Sequence, residues 1–511
     1  MVTALLVATL LAVSAPLAPA RPSSAGADSP AGNVGGQVAV VVEEPTTLRN
    51  APRFDAAAQA TLWRGDWVEV RGQGAGFLKV YDHRRERPGY LNPSQVRVYA
   101  LDEATAPELR AIVRFLREAA GSESLGIAYA AMSLKAAPAG QSPTEMLAAI
   151  GTMAERLARR ASGRRAHAKD AALAGELEVA ASYGVQLAVV EGGGTAAQVR
   201  VCYDGEAWAA VLRSAVATPV ERAQAALFLA GAGCAPPAAS PAEERNRNDG
   251  RLSALGALDF AAERALPPSL LGRVRLRRAE ALAWRAFDEA RRSNGDAAAR
   301  AEAAAIRQLA LCDRGLLVPE DGELYEQVAV KVAASRWAAE SAPGEKPGRP
   351  SALSFAPRAP GETCVRVEAR ADSSPPIAAE RCTYGVVWPS SLRWSPSGTV
   401  VTLAVQPLAA WTELWIVRRG ADGKWAFETL IPATLDPGGA VGYVESAGFS
   451  PDGKRLLVVR EARAAGRPIR RFQVLTAATL AVERWSQSPD ALAAFKRWGA
   501  PTWRAGTLAL R

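Results

Sequence analysis

The sequence predicts a multi-domain α+β protein with a small N-terminal β-barrel, a central all-α helical array and a C-terminal all-β domain built from repeats. Three observations lead there. The chain has 511 residues, well past the roughly 250–300 at which one hydrophobic core stops growing. Its apolar pattern runs at a period of two at first, then at the helical period, then at two again. A Ser-Pro-x-Gly turn recurs near the C-terminal end, ahead of Val-rich and Leu-rich runs.

The N-terminal twenty residues, MVTALLVATLLAVSAPLAPA, are an apolar run closed by Ala18-Pro19-Ala20, the small-residue pattern of a secretory cleavage site. The apolar stretch Leu5 to Val13 is far shorter than the roughly 20 residues a bilayer span needs. Residues 1–20 therefore read as a signal peptide cut near Ala20, which places the mature chain in the periplasm or outside the cell. Residues 21–36 hold Pro, Ser, Ala and Gly with almost no bulky apolar side chain, the composition of a flexible leader.

Residues 37–101 carry short Val-rich runs separated by turn residues. Strict alternation in Trp67-Val68-Glu69-Val70 and Val96-Arg97-Val98-Tyr99 predicts strands. Four segments then follow in order: Thr47-Leu48-Arg49-Asn50-Ala51-Pro52, Ala60 through Val70, Gly76-Phe77-Leu78-Lys79-Val80, and Gly89-Tyr90-Leu91. Together they resemble the motifs of bacterial Src-homology-3-like domains, with Ala60 and Phe77 where that family usually has Gly and Trp. The resemblance implies a small barrel that binds cell-wall peptides or serves as an adaptor, with no chemistry of its own. Trp63, Trp67, Tyr81 and Tyr90 are the candidate ligand-binding residues, because exposed aromatics offer stacking surfaces. The competing reading is that they fill the barrel core, Tyr90 above all.

From 102 to 340 the pattern turns helical. Leu109, Ile112, Val113 and Leu116 share one face after Pro107, and Met146, Leu147 and Ile150 do so after Pro143. Further helices are expected at 171–190, 205–216, 219–231, 252–264, 268–293, 297–311 and 322–339. Paired helices without a sharp consensus resemble a tetratricopeptide-like solenoid, a scaffold that holds extended partners. The basic run Arg156, Arg159, Arg160, Arg164, Arg165 and Lys169 is read as a solvated helix face, with a clamp for an anionic polymer as the alternative.

Residues 341–353 are Pro-rich and form a linker. The segment 354–511 carries Leu392-Arg393-Trp394-Ser395-Pro396-Ser397-Gly398, echoed by Gly448-Phe449-Ser450-Pro451-Asp452-Gly453-Lys454, with weaker copies at Ser354-Phe355-Ala356-Pro357 and Pro501 through Thr507. Pro presets the turn, Asp or Ser bonds back to the backbone, and Gly accepts positive φ. The motif resembles the F-S-P-D-G-K repeats of TolB-like and WD-repeat propellers. That likeness implies a propeller-like domain, and the segment has room for about three blades, fewer than the four of the smallest closed rings, so a partial propeller or a sandwich derived from one is expected.

Five cysteines in an oxidising compartment are candidates for pairing. Cys202 with Cys234 and Cys364 with Cys382 are the expected bridges, leaving Cys312 among leucines as a buried free thiol. The net charge of +9 favours acidic cell-wall polymers, glycans or lipid head groups over nucleic acid. Two histidines, His83 and His167, fall in different regions, and neither a metal-ligand spacing nor a G-x-S-x-G elbow occurs. Gly448 to Lys454 spells a phosphate-loop pattern, but Arg455 replaces the Ser or Thr that would hold Mg²⁺. Gly192-Gly193-Gly194 reads as a loop. Gly121-Ser122-Glu123-Ser124 faintly resembles the Glu-Ser segment of lytic transglycosylases, where a lone Glu is the acid and base. The sequence thus points to an exported, non-catalytic binding or scaffold protein without metal or cofactor. Its expected partners are envelope proteins or cell-wall peptides, it is not an integral membrane protein, and its oligomeric state is not encoded in any motif. The alternative is a peptidoglycan hydrolase or lytic transglycosylase-like enzyme.

Overall fold

The computed structural model describes residues 36–162, 170–191, 199–231, 238–341, 352–368, 377–433, 441–464 and 467–508. The expected signal peptide, all of the leader but Gly36, and nearly the whole linker lie outside the described residues. The chain is mixed α+β, with an N-terminal antiparallel sheet, central helices and a C-terminal set of strands.

The first sheet holds β1 (Gln37–Val41), β2 (Thr46–Arg49), β3 (Ala58–Leu62), β4 (Trp67–Gly74), β5 (Phe77–Asp82), β6 (Arg87–Leu91) and β7 (Val96–Ala100), in the order β3-β2-β6-β5-β4-β1-β7. Alternate residues point to one side, so Val68, Val70, Leu78 and Val80 join Leu48, Leu62, Leu91 and Val96 in one small core. The register of β4 against β5 slips between Val70 and Gly72, a bulge that bends the ribbon around that core.

The helices are α1 (Ala106–Glu118), α2 (Glu123–Ala136), α3 (Thr144–Ala161) and α4 (Ala171–Ser182); after a hairpin of β8 (Leu187–Glu191) and β9 (Val199–Tyr203) come α5 (Glu206–Arg213), α6 (Pro219–Leu229), α7 (Pro241–Gly256), α8 (Phe260–Arg264), α9 (Pro268–Arg291), α10 (Gly295–Ala310) and α11 (Pro319–Ser335). Their starts follow from the local sequence. Thr218 and Glu221 form a reciprocal capping box at α6, and Asp170 caps α4. The hairpin corrects the expectation of an unbroken helix over 171–190. At Ser182 the helix closes with Val185 N–H on the Ala180 carbonyl and Gly184 at φ +84°, an exit only glycine makes cheaply. The β-branched run behind it then pairs with β9. The helix expected over 252–264 is also two helices, the first starting earlier at Pro241 behind the cap of Ser240.

The C-terminal strands form three antiparallel units: β10 (Ala352–Pro357), β11 (Thr363–Glu368) and β12 (Ile377–Thr383); β13 (Val386–Trp394), β14 (Val400–Leu408), β15 (Trp411–Arg419) and β16 (Trp425–Leu430); and β17 (Val441–Phe449), β18 (Arg455–Ala464), β19 (Arg467–Thr476) and β20 (Val482–Ser486). The second and third meet in one short parallel pairing, Trp411 and Thr412 beside Gly442 and Tyr443. The units stack face to face. Val365 and Val367 of the first pack on Val401, Leu403, Val405 and Val417 of the second. On the opposite side, Val400, Leu414 and Ile416 pack on Val444, Leu456, Val458 and Leu475 of the third. Burial on both sides explains why β14 reads as a nearly continuous apolar run, and β17 is buried along nearly its whole length.

The two strong repeats occupy equivalent turns, β13 to β14 and β17 to β18. Ser395 Oγ accepts from Val400 N–H and Ser450 Oγ from Arg455 N–H, with Gly398 and Gly453 at positive φ. The weak copy at 501–507 is not a strand. It lies in α13 (Pro501–Leu508), which with α12 (Ala493–Trp498) covers the outer face of the third unit through Phe495 and Trp503. Pro501 opens a helix there, and the repeat's aromatic serves as a plug.

Two seams join the regions. At the rear seam, Arg336 Nη2 stands 2.7 Å from Glu445 Oε2, and Trp503 Nε1 donates to Glu445 Oε1 at 2.8 Å. Thr412 and Ser390 hydroxyls donate to the carbonyls of Ala334 and Trp337, both at 2.6 Å. Trp337, Phe287, Val386, Trp388 and Ala404 form an apolar cluster beside them. At the front seam, Trp63 lies over Gly175 of α4, where a Cβ would stand 2.3 Å from the indole. Gly65, at φ +96°, meets the Ser124 carbonyl at the start of α2. Ser124 Oγ donates to the Arg64 carbonyl at 2.8 Å, and Tyr183 OH to the Gly65 carbonyl at 2.7 Å.

Candidate functional site

The front seam encloses a cavity of about 990 Å³ between the N-terminal sheet and helices α2 and α4. β4 supplies Trp67 and Glu69, the loop after β5 supplies His83 and Arg84, α2 supplies Lys135, and α4 supplies Glu178. Alternation along β4 decides which side chains arrive: Val68 and Val70 enter the sheet core, so Trp67 and Glu69 face away from it. Lys135 sits near the end of an otherwise Ala-rich helix and holds its ammonium 4.9 Å from the centre of the Trp67 ring, a cation–π contact. On another side of the indole lies Tyr183, with ring centres 6.1 Å apart.

The charges lining the cavity differ in how far they are engaged. Asp66 is buried, accepts from Trp63 N–H at 2.9 Å and pairs with Arg84 at 3.0 Å. Burial nevertheless raises its pKa above the usual carboxylate value. Arg84 also pairs with Glu178. Glu69 receives Arg71 at 3.0 Å and His83 at 2.8 Å, and hydrogen bonds from these two lower its pKa. Among the described residues no carboxylate lies within ion-pair distance of Lys135. The cavity therefore offers an indole face and a cation with no anionic partner, beside acidic groups already tied to arginines.

The four aromatic candidates are not brought together. Trp63 packs against α4, so it holds the seam. Trp67 alone lines the cavity. Tyr81 is opposite Glu69 across β4 and β5, under Arg71 at 3.9 Å and edge-on to His83. Tyr90 is half-buried, paired across from Arg49 and Lys79. Lys135, Tyr183 and Glu178 were not singled out from the sequence, because they come from the helical region and only the tertiary fold sets them beside β4. One trace was visible: Lys135 is the lone cation of α2.

Cys364 and Cys382 are bonded to each other across β11 and β12. Cys202 is also disulfide-bonded; its expected partner Cys234 lies outside the described residues. Cys312 is free and buried, with its thiol near the Gly272 carbonyl, and burial raises its pKa. Among the described residues the group with metal-ligand proximity is Cys364, Glu380 and Cys382. Its two sulfurs are taken by their own bond.

The basic run divides in a way neither sequence reading anticipated. Arg156 and Arg160 turn inward onto Glu123, which has no exposed surface and also accepts from Gly121 N–H at 3.0 Å. Arg160 reaches Glu176 as well, while Arg159 stays exposed beside Glu155. Arg164, Arg165 and Lys169 lie outside the described residues, as do His167 and Gly192 to Gly194. A general acid must reach the proton acceptor of its substrate, whereas Glu123 is enclosed by two guanidinium groups and anchors the turn into α2.

Among the described residues no helix is long and apolar enough to cross a membrane. No family model, no curated protein and no solved structure matches this chain.

Proposed function

We propose that the chain is an exported, non-catalytic binding and scaffold protein of the cell envelope. In this reading its N-terminal sheet is a Src-homology-3-like barrel for cell-wall or peptide ligands. The helical array and the propeller-like β units carry protein partners. The observation that carries the reading is the front-seam cavity, where Trp67 and Lys135 stand together. Cavities at the junction of two regions, apolar with a few placed polar groups, are where ligands bind. An indole face suits a sugar ring or an apolar side chain, and an unpaired ammonium suits a carboxylate. Peptidoglycan fragments present both. The Ser-Pro-x-Gly turns, the disulfides and the positive net charge fit a stable surface protein among acidic polymers.

Co-sedimentation of the full chain with purified peptidoglycan sacculi tests this. The wild type pellets with sacculi, and Trp67→Ala or Lys135→Ala lowers the bound fraction by about fivefold or more, as expected when one of two recognition groups is removed. Equal pelleting of all three proteins, or none of the wild type, ends the reading.

A further inference from the structure

A second site lies on the third β unit, far in sequence from the front seam. Arg460 of β18 and Arg471 of β19 are directly opposed in the antiparallel register. Side chains so placed share one face at close range, and like charges there repel. Among the described residues no carboxylate lies within ion-pair distance of either. Arg460 donates Nη1 to the Ile431 carbonyl at 3.2 Å, while its Nε is buried without a partner. Burial and the neighbouring Arg471 both lower the Arg460 pKa. Arg471 itself is exposed and rests on the Trp485 ring at 5.5 Å.

The next row on the same face adds to this. Ser446, Val458 and Gln473 are in register across β17, β18 and β19, two residues along from Arg460 and Arg471, and residues two apart share a face. Ser446 Oγ and Gln473 Oε1 are both buried without a hydrogen-bond partner. Trp485 of β20 is opposite Gln473 and is 57 % exposed. That row is covered by the second unit through Val458, so the open end of the face gathers two guanidinium groups, with no carboxylate beside them among the described residues, and an exposed indole.

We propose that Arg460 and Arg471 form a binding site for an oxyanion, the phosphate or carboxylate of an acidic ligand, with Trp485 available to a ring attached to it. Guanidinium forks match both anions in geometry. An anion between the arginines removes their mutual repulsion and offers acceptors to their remaining N–H groups.

The test uses the full chain, titrated by calorimetry with inorganic phosphate and, separately, with D-glucuronate, each against chloride at equal ionic strength. Binding of either anion supports the site, and which one binds tells phosphate from carboxylate as the source. Arg471→Gln, at an exposed position, weakens the bound anion by about tenfold or more, a loss of one charged hydrogen-bonding group. Trp485→Ala, which removes the ring but neither charge, keeps phosphate affinity within about threefold. The proposal is overturned if neither anion binds above the chloride control, if Arg471→Gln binds as tightly as the wild type, or if both variants lose phosphate to the same degree.

Discussion

The two seams of this molecule solve the same problem with opposite use of charge. The rear seam buries its ion pair: the side chains of Arg336 and Glu445 are 4 % and 1 % exposed, and the Trp503 indole closes the remaining carboxylate oxygen. The front seam packs Trp63 on Gly175 but keeps Trp67, Lys135 and Glu178 around an open cavity. A closed, dry seam fixes two regions in one orientation. An open one leaves polar groups free to meet a ligand. The difference marks the rear as framework and the front as the place where a ligand would meet side chains without rearrangement of the seam.

The largest expected effect breaks the rear seam. Glu445→Ala removes the buried carboxylate beside the Arg336 guanidinium and the acceptor of the Trp503 indole N–H, and removing one partner of a buried pair costs about 3–5 kcal/mol. The double variant Arg336→Met, Glu445→Leu removes both charges together and recovers most of that loss, since an apolar pair of similar volume is often neutral. Chemical denaturation of the two variants checks this. Equal destabilisation by both would mean that shape, rather than charge, holds the seam.

The same side of the molecule carries a pH-sensitive group. Glu302 of α10 is fully buried, and among the described residues it receives only the Ser335 hydroxyl, at 2.8 Å, with Oε1 unpartnered. Burial pushes its pKa up to about 8. A raised acid pKa means the unfolded chain releases this proton before the folded chain does. Stability therefore falls as pH rises from the unfolded value of about 4.5 through about 8, and then levels off. Glu302→Gln cancels that slope. Its advantage over the wild type, near zero at pH 4, grows to the order of 4 kcal/mol by pH 9. Denaturant midpoints across this range check the prediction, and parallel curves for the two proteins would refute it.

Much of the framework was legible in the sequence, and much of the site was not, for one physical reason. Period and turn chemistry are local, so Val68 and Val70 announce a strand, Pro107 with Leu109, Ile112 and Val113 a helix, and Ser450 to Gly453 a tight turn. The Cys364 to Cys382 bridge was also legible, because the spacing left a short loop to close. What failed were choices that tertiary packing makes. The apolar run after Gly184 suits a helix or a strand until β9 arrives beside it. Trp503 reads as a weak copy of the repeat until α13 uses it to cover the sheet. Arg156 and Arg160 read as solvated until Glu123 is found beneath them. Lys135 reached the cavity only because α2 docks on β4.

A smaller effect than either of these sharpens the contrast from the front. Gly175 has an ordinary helical backbone, so in isolation Ala there would stabilise α4, since Gly costs a helix roughly 1 kcal/mol relative to Ala. In the folded chain the added methyl would stand 2.3 Å from the Trp63 indole, and overpacking of this kind costs about 1–3 kcal/mol. The steric term offsets or outweighs the propensity gain, and Gly175→Ala is expected to lower stability by up to about 2 kcal/mol net. Pairing it with Trp63→Leu returns room to the seam, so the methyl then costs nothing and the helix gain remains. A double-mutant cycle between positions 63 and 175 reads that coupling directly. A coupling near zero would mean that the sheet and α4 are not in contact through this indole, and the cavity beside them would lose the wall that gives Trp67 its position.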